Sequence, residues 1–195
     1  MTDRRLSRWD ERYARGDELY GFVPSPPLPA ALAGVTAGRA LDLACGGGRH
    51  ALFLAEQGWE VDAVDASQVG LDVLAREAER RGVRAKIATH RADLETEPAG
   101  FVLAPRHYDL ILDFYFLHRP LLAAVPAGLR SGGLFVAAIH YEEPGTAPPH
   151  AFTLAPGELA AIVAAWGFTI LHAHEGPSQE TGHHRATAQI VAQKP

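Results

Sequence analysis

The residues best suited to chemistry gather in LDLACGGGRH, residues 41–50. Leu41, Leu43 and Ala44 suit a buried parallel strand, and Gly46, Gly47 and Gly48 then remove every Cβ at a place where backbone must approach a ligand closely. Asp42 lies inside this apolar run, where an unpaired carboxylate is costly and therefore calls for a partner. A strand that runs into a glycine corner and then a helix is the layout of a cofactor site. A second acid, Asp65, closes the apolar stretch WEVDAVD at residues 59–65, 17 residues beyond Gly48. That is near the offset of roughly 20 residues at which an acid reaches a ribose.

Two cofactor classes use such a corner. Gly46, Gly48 and Ala51 satisfy G-x-G-x-x-A, the dinucleotide fingerprint in which a helix N-terminus receives a pyrophosphate. NAD and S-adenosylmethionine each present a ribose to the following acid. The pattern D-x-A-C-G-x-G, with Asp42 four residues ahead of Gly46 and Asp65 ending the next strand, resembles the first and second motifs of class I S-adenosylmethionine-dependent methyltransferases. The resemblance implies that the turn of Ala44, Cys45, Gly46 and Gly48 wraps the methionine part of the cofactor, and that Asp42 orders the site beneath its amino group. It further implies that Asp65 grips both ribose hydroxyls, with Ala66 and Ser67 following along the adenine. Ala44 stands where the family most often has glycine. Cys45, with no base evidently paired to it, reads as a space-filler in the turn rather than a nucleophile.

Further candidates sit at the ends of later strands. Ala92, Asp93 and Leu94 leave the third strand, where the family places an acid against the adenine amino group; an acid before a loop is equally an ordinary turn or cap residue. The fourth strand, YDLILDFYF at residues 108–116, carries Asp113, Phe114 and Tyr115 toward the presumed active edge, followed by His118 and Arg119. Parallel sheets of this kind bind ligands beyond the carboxyl ends of their strands. Aromatic faces there can shield a cationic sulfonium, although at least one of these rings is expected to be core packing. His140 and Tyr141 end the fifth strand. Nucleic-acid adenine amino-methyltransferases carry N/D-P-P-Y/F/W at the fourth strand's end, and Asp-Phe-Tyr-Phe stands here instead, so that class is disfavoured.

The elements that must position these residues follow from periodicity. Residues 4–14, with Leu6, Trp9 and Tyr13 at helical spacing, predict a short amphipathic helix. Four prolines within residues 24–29 predict an extended segment, and residues 29–35 a brief helix. The order W-D-x-R-Y, then Tyr20-Gly-Phe and the proline run, is similar to the N-terminal cap of tellurite- and thiopurine-type small-molecule methyltransferases. There the cap helps close the site, which makes Trp9 and Tyr13 cofactor-lid candidates; simple packing of an N-terminal helix is the alternative. Strands are expected from residue 39, at 60–65, 84–90, 108–116 and 129–140, with helices at 50–57, 69–81, 120–129 and 152–166, the last capped near Thr153. The short connection from residue 175 to 185 requires residues 168–174 and 186–192 to pair antiparallel. The expected fold is therefore an α/β, doubly wound, seven-stranded, mostly parallel sheet with an antiparallel last strand and helices on both faces. Residues 1–38 form the cap and 39–195 the cofactor-binding core of a single domain. The ending F-x-L-x-x-x-E-L, then R-A-T-A-x-I-V-A-x-K, is again similar to the tellurite-resistance methyltransferases, in which Arg185 matches a basic position.

Composition limits what else the chain can do. In 195 residues, 47% hydrophobic, 18 Lys and Arg face 23 Asp and Glu, a net charge of −5 that offers no basic field for nucleic acid. No apolar run approaches the roughly 20 residues of a membrane span, and one cysteine excludes a disulfide framework, so a cytoplasmic protein is expected. Ten histidines include His172/His174 and His183-His184, but neither pair is joined by a cysteine or carboxylate at ligand spacing, so no metal site is expected. The expected reaction is methyl transfer from S-adenosylmethionine to a small thiol, tellurite- or selenite-like oxyanion or phenol, by a monomer or homodimer. An anionic acceptor needs no base; otherwise His140, His118 and Tyr115 are candidates, and Arg119 and Arg185 can hold an anion. A nicotinamide-dependent oxidoreductase and a non-catalytic cofactor-binding module acting through a partner protein remain the alternatives.

Overall fold

The computed structural model describes residues 2–16, 21–96, 100–143, 145, 151–178, 180 and 185–195. Seven strands form one sheet in the order β3-β2-β1-β4-β5-β7-β6. β1 (Arg39–Leu43), β2 (Glu60–Asp65), β3 (Ile87–Arg91), β4 (Tyr108–Phe114) and β5 (Leu129–His140) run parallel. β7 (Ala186–Gln193) lies antiparallel between β5 and β6 (Thr169–Pro177). Strand order reverses between β1 and β4, and sheets of this kind bind ligands at such a reversal, beyond the carboxyl ends of their strands.

Alternation along the strands sorts the core into two layers. Leu41, Leu43, Ile111, Phe135 and Ala137 pack beneath α5 (Arg119–Leu122), α6 (Val125–Gly128) and α7 (Glu158–Ala165). Ala40, Ala63, Leu110, Leu112 and Val136 pack beneath α2 (Pro27–Ala31), α3 (Arg49–Glu56) and α4 (Gln68–Arg80). The central strands are covered on both faces, which explains their nearly continuous apolar runs. The N-terminal helix α1 (Thr2–Ala14) crosses α4 outside this sandwich. Among the described residues, no helix is long and apolar enough to cross a membrane.

Several boundaries differ from expectation for local reasons. The proline run is not wholly extended: α2 starts at Pro27, because a proline in the first helical turn gives up only an N–H that has no partner anyway. The helix expected over residues 120–129 is two short helices. Pro126 opens the second, since its ring nitrogen cannot continue the ladder from the first. The helix expected over 152–166 starts at Glu158; Gly157 caps it at φ 76, while Thr153 is buried and lies outside it. Residues 84–86 form a single 3₁₀ turn, so β3 begins only at Ile87. Tyr20, His150, His183 and His184, and the side chain of Leu6, lie outside what the structure describes.

Two glycines test how tightly the turn is packed against α4. A Cβ on Gly48, at φ 83, would lie 2.9 Å from the Leu74 Cβ and closer still to the rest of that side chain, whereas one on Gly82, at φ 72, meets nothing within 4 Å. Gly82→Ala is expected to cost about 1 kcal/mol of left-handed strain. Gly48→Ala adds overpacking for a total of about 3 kcal/mol. Urea unfolding midpoints of the two variants check this, and equal losses would show that Leu74 yields freely.

Candidate functional site

At the carboxyl edge of the sheet stand the two strand-to-helix corners after β1 and β2. Ala44, Gly46 and Gly48 all adopt positive φ, at 53, 55 and 83 degrees, so the backbone coils in a left-handed sense before α3 begins. The Cys45 amide donates to the Val64 carbonyl at 3.0 Å and seats this corner on the end of β2. Asp65 then joins the corners: its Oδ2 accepts from the Gly46 amide at 2.8 Å and its Oδ1 from the Ser67 amide at 2.8 Å. Burial pushes the Asp65 carboxyl above its ordinary range, against the pull of these amides. Cys45 is buried and its thiol is pushed well up by burial and by Asp65, which suits a space-filler.

Helix α1 is seated on the same corner. Ser67 caps α4, accepting from the Gly70 amide at 3.0 Å, and its hydroxyl donates to Asp10 on α1. The Tyr13 ring lies against both glycines: a Cβ on Gly46 would stand 3.0 Å from Tyr13 Cζ, and one on Gly70 3.1 Å from Tyr13 Cε2. Trp9 stacks beside it with centroids 6.1 Å apart and remains 40% exposed. Burial and the nearby Asp65 raise the Tyr13 hydroxyl, which stays protonated.

Beneath the turn lie two more acids. Asp42 is 1% exposed on the α3 face, where the backbone N–H of Ala51 in the first turn of α3 pulls against the effect of its burial. Its Oδ2 has no hydrogen-bond partner among the described residues, and burial pushes its carboxyl up to about 7. Asp113 aligns with Leu43 on β1 and is wholly buried within β4, so it sits deeper than a residue lining the mouth. Burial, reinforced by Asp42, raises it well above the usual carboxylate range. The nearest amide, that of Phe116, exerts an opposing pull without closing a hydrogen bond.

The ends of β4 and β5 meet next to this pair. Tyr115 leaves β4 at φ 64 with its amide on the Ala138 carbonyl at 2.7 Å, and its ring centroid is 5.2 Å from that of His140. Phe114 is buried and stacks on His50 at 4.0 Å, so it serves as core packing. Arg49, the first residue of α3, holds Glu180 in a bidentate pair with Ser25 and Tyr115 alongside. Asp10, Ser25, Arg49 and Glu180 were not among the candidates from sequence. Arg49, directly after the three glycines, had a positional signal; Glu180 had none.

Other candidates are placed farther out. Asp93 Oδ1 accepts from the Glu95 amide at 3.0 Å, the geometry of a turn, and Leu94 is a core residue. Ala66 is half-buried beside Asp65. His118 precedes α5 and Arg119 begins it, but Arg119 is spent on Glu158, donating at 2.6 and 2.9 Å. Arg185 is exposed and lies 3.7 Å from Glu142. His172 and His174 are exposed on β6.

Asp42 and Asp65, two acids of one sheet face whose pKa values are raised by burial, suit a ligand of positive charge. A cationic ligand returns to Asp42 and Asp65 the stabilisation they lost on leaving water.

Residues 27–185 match the family model described as tellurite resistance protein TehB. No curated protein sequence matches the chain. Among solved structures, TehB from Haemophilus influenzae superposes with TM-score 0.73 at 21% identity, covering 95% of this chain and 67% of that one. The 1,6-didemethyltoxoflavin-N1-methyltransferase of Burkholderia thailandensis, solved with 1,6-didemethyltoxoflavin and S-adenosylhomocysteine, gives TM-score 0.70 at 22% identity, covering 97% of this chain and 86% of that one. The [4+2]-cyclase SpnF gives 0.67 at 17%, covering 86% and 80%. At these identities the likeness is one of fold, and the cyclase shows that the fold hosts more than one chemistry.

The Asp42 environment predicts a pH signature. Its folded carboxyl keeps a proton up to about pH 7, whereas in the unfolded chain it ionises near the ordinary value of 3.8. The folded form thus binds more protons between those values, and stability falls as pH rises through the window. Asp42→Asn removes the penalty. It is expected to be more stable than the wild type at pH 8 by about 2–4 kcal/mol, with the gap closing toward pH 4. Denaturant unfolding at pH 5 and 8 measures it, and a gap independent of pH would show that Asp42 is ionised throughout.

Proposed function

The chain belongs to the tellurite resistance protein TehB family, and from that premise we infer that it is an S-adenosylmethionine-dependent methyltransferase acting on a small-molecule acceptor. The observation that carries this is a buried Asp42 with an unpartnered carboxylate oxygen, among the described residues, beneath a glycine corner that Asp65 closes. The buried Asp42 oxygen with no partner among the described residues fits a ligand bearing an ammonium group above it.

In this reading Asp65 exchanges its amide partners for the two ribose hydroxyls. Asp42, through the ordered α3 turn, and the backbone of Ala44, Cys45, Gly46 and Gly48 receive the amino-acid end. Ala66, Ser67, Asp93 and Leu94 follow the adenine, and Asp113 stays buried beneath the site. Trp9 and Tyr13 cover the corner from α1 and exclude water. When bound, the cofactor supplies a methyl group already activated on a sulfonium.

What remains for the chain is to bind, orient and dehydrate the acceptor at the edge formed by Tyr115 and His140. A thiolate or a tellurite- or selenite-like oxyanion needs no base. A phenol does, and His140 or His118 is better suited than Tyr115, whose hydroxyl is raised by burial and by Glu180 and stays a donor. Arg119 is committed to Glu158, which leaves Arg185 as the freer surface cation for an acceptor's charge. The buried lone Cys45 suits a reducing, cytoplasmic setting.

Calorimetric titration tests the assignment. S-adenosylmethionine and S-adenosylhomocysteine are expected to bind and NAD and NADP not. Asp65→Ala is expected to weaken binding about 10- to 100-fold, the scale of a charge-assisted hydrogen bond. Binding of a nicotinamide nucleotide in place of the first two would overturn it.

A further inference from the structure

Beside the glycine corner, three segments far apart in sequence converge on a carboxylate carried by a fourth. Glu180, from the connection between β6 and β7, receives Arg49 Nη1 on Oε2 at 2.7 Å and Arg49 Nη2 on Oε1 at 3.2 Å. The Ser25 and Tyr115 hydroxyls both donate to the same Oε1. Arg49 Nη2 also donates to Ser25 Oγ at 2.7 Å, and the Ser25 amide donates to His50 Nε2 at 3.3 Å, which fixes the segment. The Arg49 and Glu180 side chains are only 11% and 9% exposed.

A pair buried this deeply recovers little net energy over an apolar replacement, because both ions have been stripped of water. Its donors, moreover, belong to the active edge. Arg49 follows the glycine turn and acts electrostatically on Asp42, and its guanidinium lies 5.6 Å from the Tyr115 ring. Tyr115 is held in a left-handed conformation that costs a non-glycine residue energy, and such strain collects where a side chain has a task. A planar guanidinium flanked by two hydroxyls is a receptor for carboxylates and oxyanions.

We propose that Arg49, Ser25 and Tyr115 form the anchor for an anionic group, a carboxylate or oxyanion, on the methyl acceptor, and that Glu180 occupies this anchor as an internal competitor until the acceptor replaces it. The proposal rests on the methyltransferase reading for the word acceptor; the anchor itself rests on the donors. Acceptors with an acid group next to the methylated atom are favoured, and neutral ones gain nothing from Arg49. Glu180 thus sets a threshold that weakly charged compounds fail to pass.

Calorimetry on the full chain tests this with thiosalicylate and its neutral methyl ester as probes, each with and without saturating S-adenosylhomocysteine. Glu180→Gln keeps the shape of the side chain and removes its charge. It is expected to bind thiosalicylate about tenfold or more tightly than the wild type and the ester no differently. Adding Arg49→Met to Glu180→Gln is expected to abolish that gain while leaving S-adenosylhomocysteine affinity intact, which also reports a folded site. Equal thiosalicylate affinity in wild type and Glu180→Gln, absence of binding in both included, overturns the anchor. So does a gain that survives Arg49→Met, or a loss of S-adenosylhomocysteine in its place, which would assign Arg49 to the cofactor's carboxylate. If the wild type fails to bind S-adenosylhomocysteine at all, the methyltransferase reading falls, and the thiosalicylate titrations without it still decide the anchor.

Discussion

One carboxylate holds the functional end of the molecule together. Asp65 accepts the amide of Gly46 from the first corner and of Ser67 from the second, so two loops that belong to different βα units share one hydrogen-bonded joint. Ser67 carries the joint on to Asp10, and through it α1 is laid across the glycine turn. Loosening this point affects the turn, the cap of α4 and the seating of Tyr13 together. The bare backbone at Gly46 and Gly70 allows that seating, because a side chain at either place would stand in the Tyr13 ring.

Around this joint the protein stores unfavourable charge. Asp42, Asp65 and Asp113 all have raised pKa through burial, and Asp42 and Asp65, or Asp42 and Asp113, add mutual repulsion. The sheet supplies the enclosing apolar layers, with Leu41, Leu43, Leu110 and Leu112 buried on either side of the acids. A folded chain tolerates such a cluster when the rest of the core compensates for it, and a ligand of opposite charge then binds to groups already stripped of water and held in place. Arg49 stands at the border of this field, drawn toward Asp42 on one side and paired with Glu180 on the other.

The legible parts of the chain were those whose cause is local. The apolar runs of β1, β2, β4 and β5, the glycine corner, the amphipathic α4 and the antiparallel pairing of β6 with β7 all follow from period, turn residues and connection length. So does the spacing of Asp42 and Asp65, each of which occurs within a strand that announces itself. Departures came where two local rules competed. Pro27 was read as part of a breaker run and opens α2, Pro126 was read as the interior of one long helix and stands in the first turn of a second, and Gly157 rather than Thr153 caps α7. In each case the tertiary packing chose between conformations that the sequence permits equally well.

By itself, the sequence determined the order of strands and helices and the acids and glycines of the corner, because hydrophobic period and missing Cβ atoms act over a few residues. It did not determine which charge meets which. Arg119 pairs with Glu158 across 39 residues and Arg49 with Glu180 across 131, so a residue expected to face an anion is occupied and an unremarked one stands at the active edge. Only the tertiary structure decided this, since ion-pair partners are selected by where loops return over the sheet. That return is a property of the packed layers, and no period in the chain encodes it.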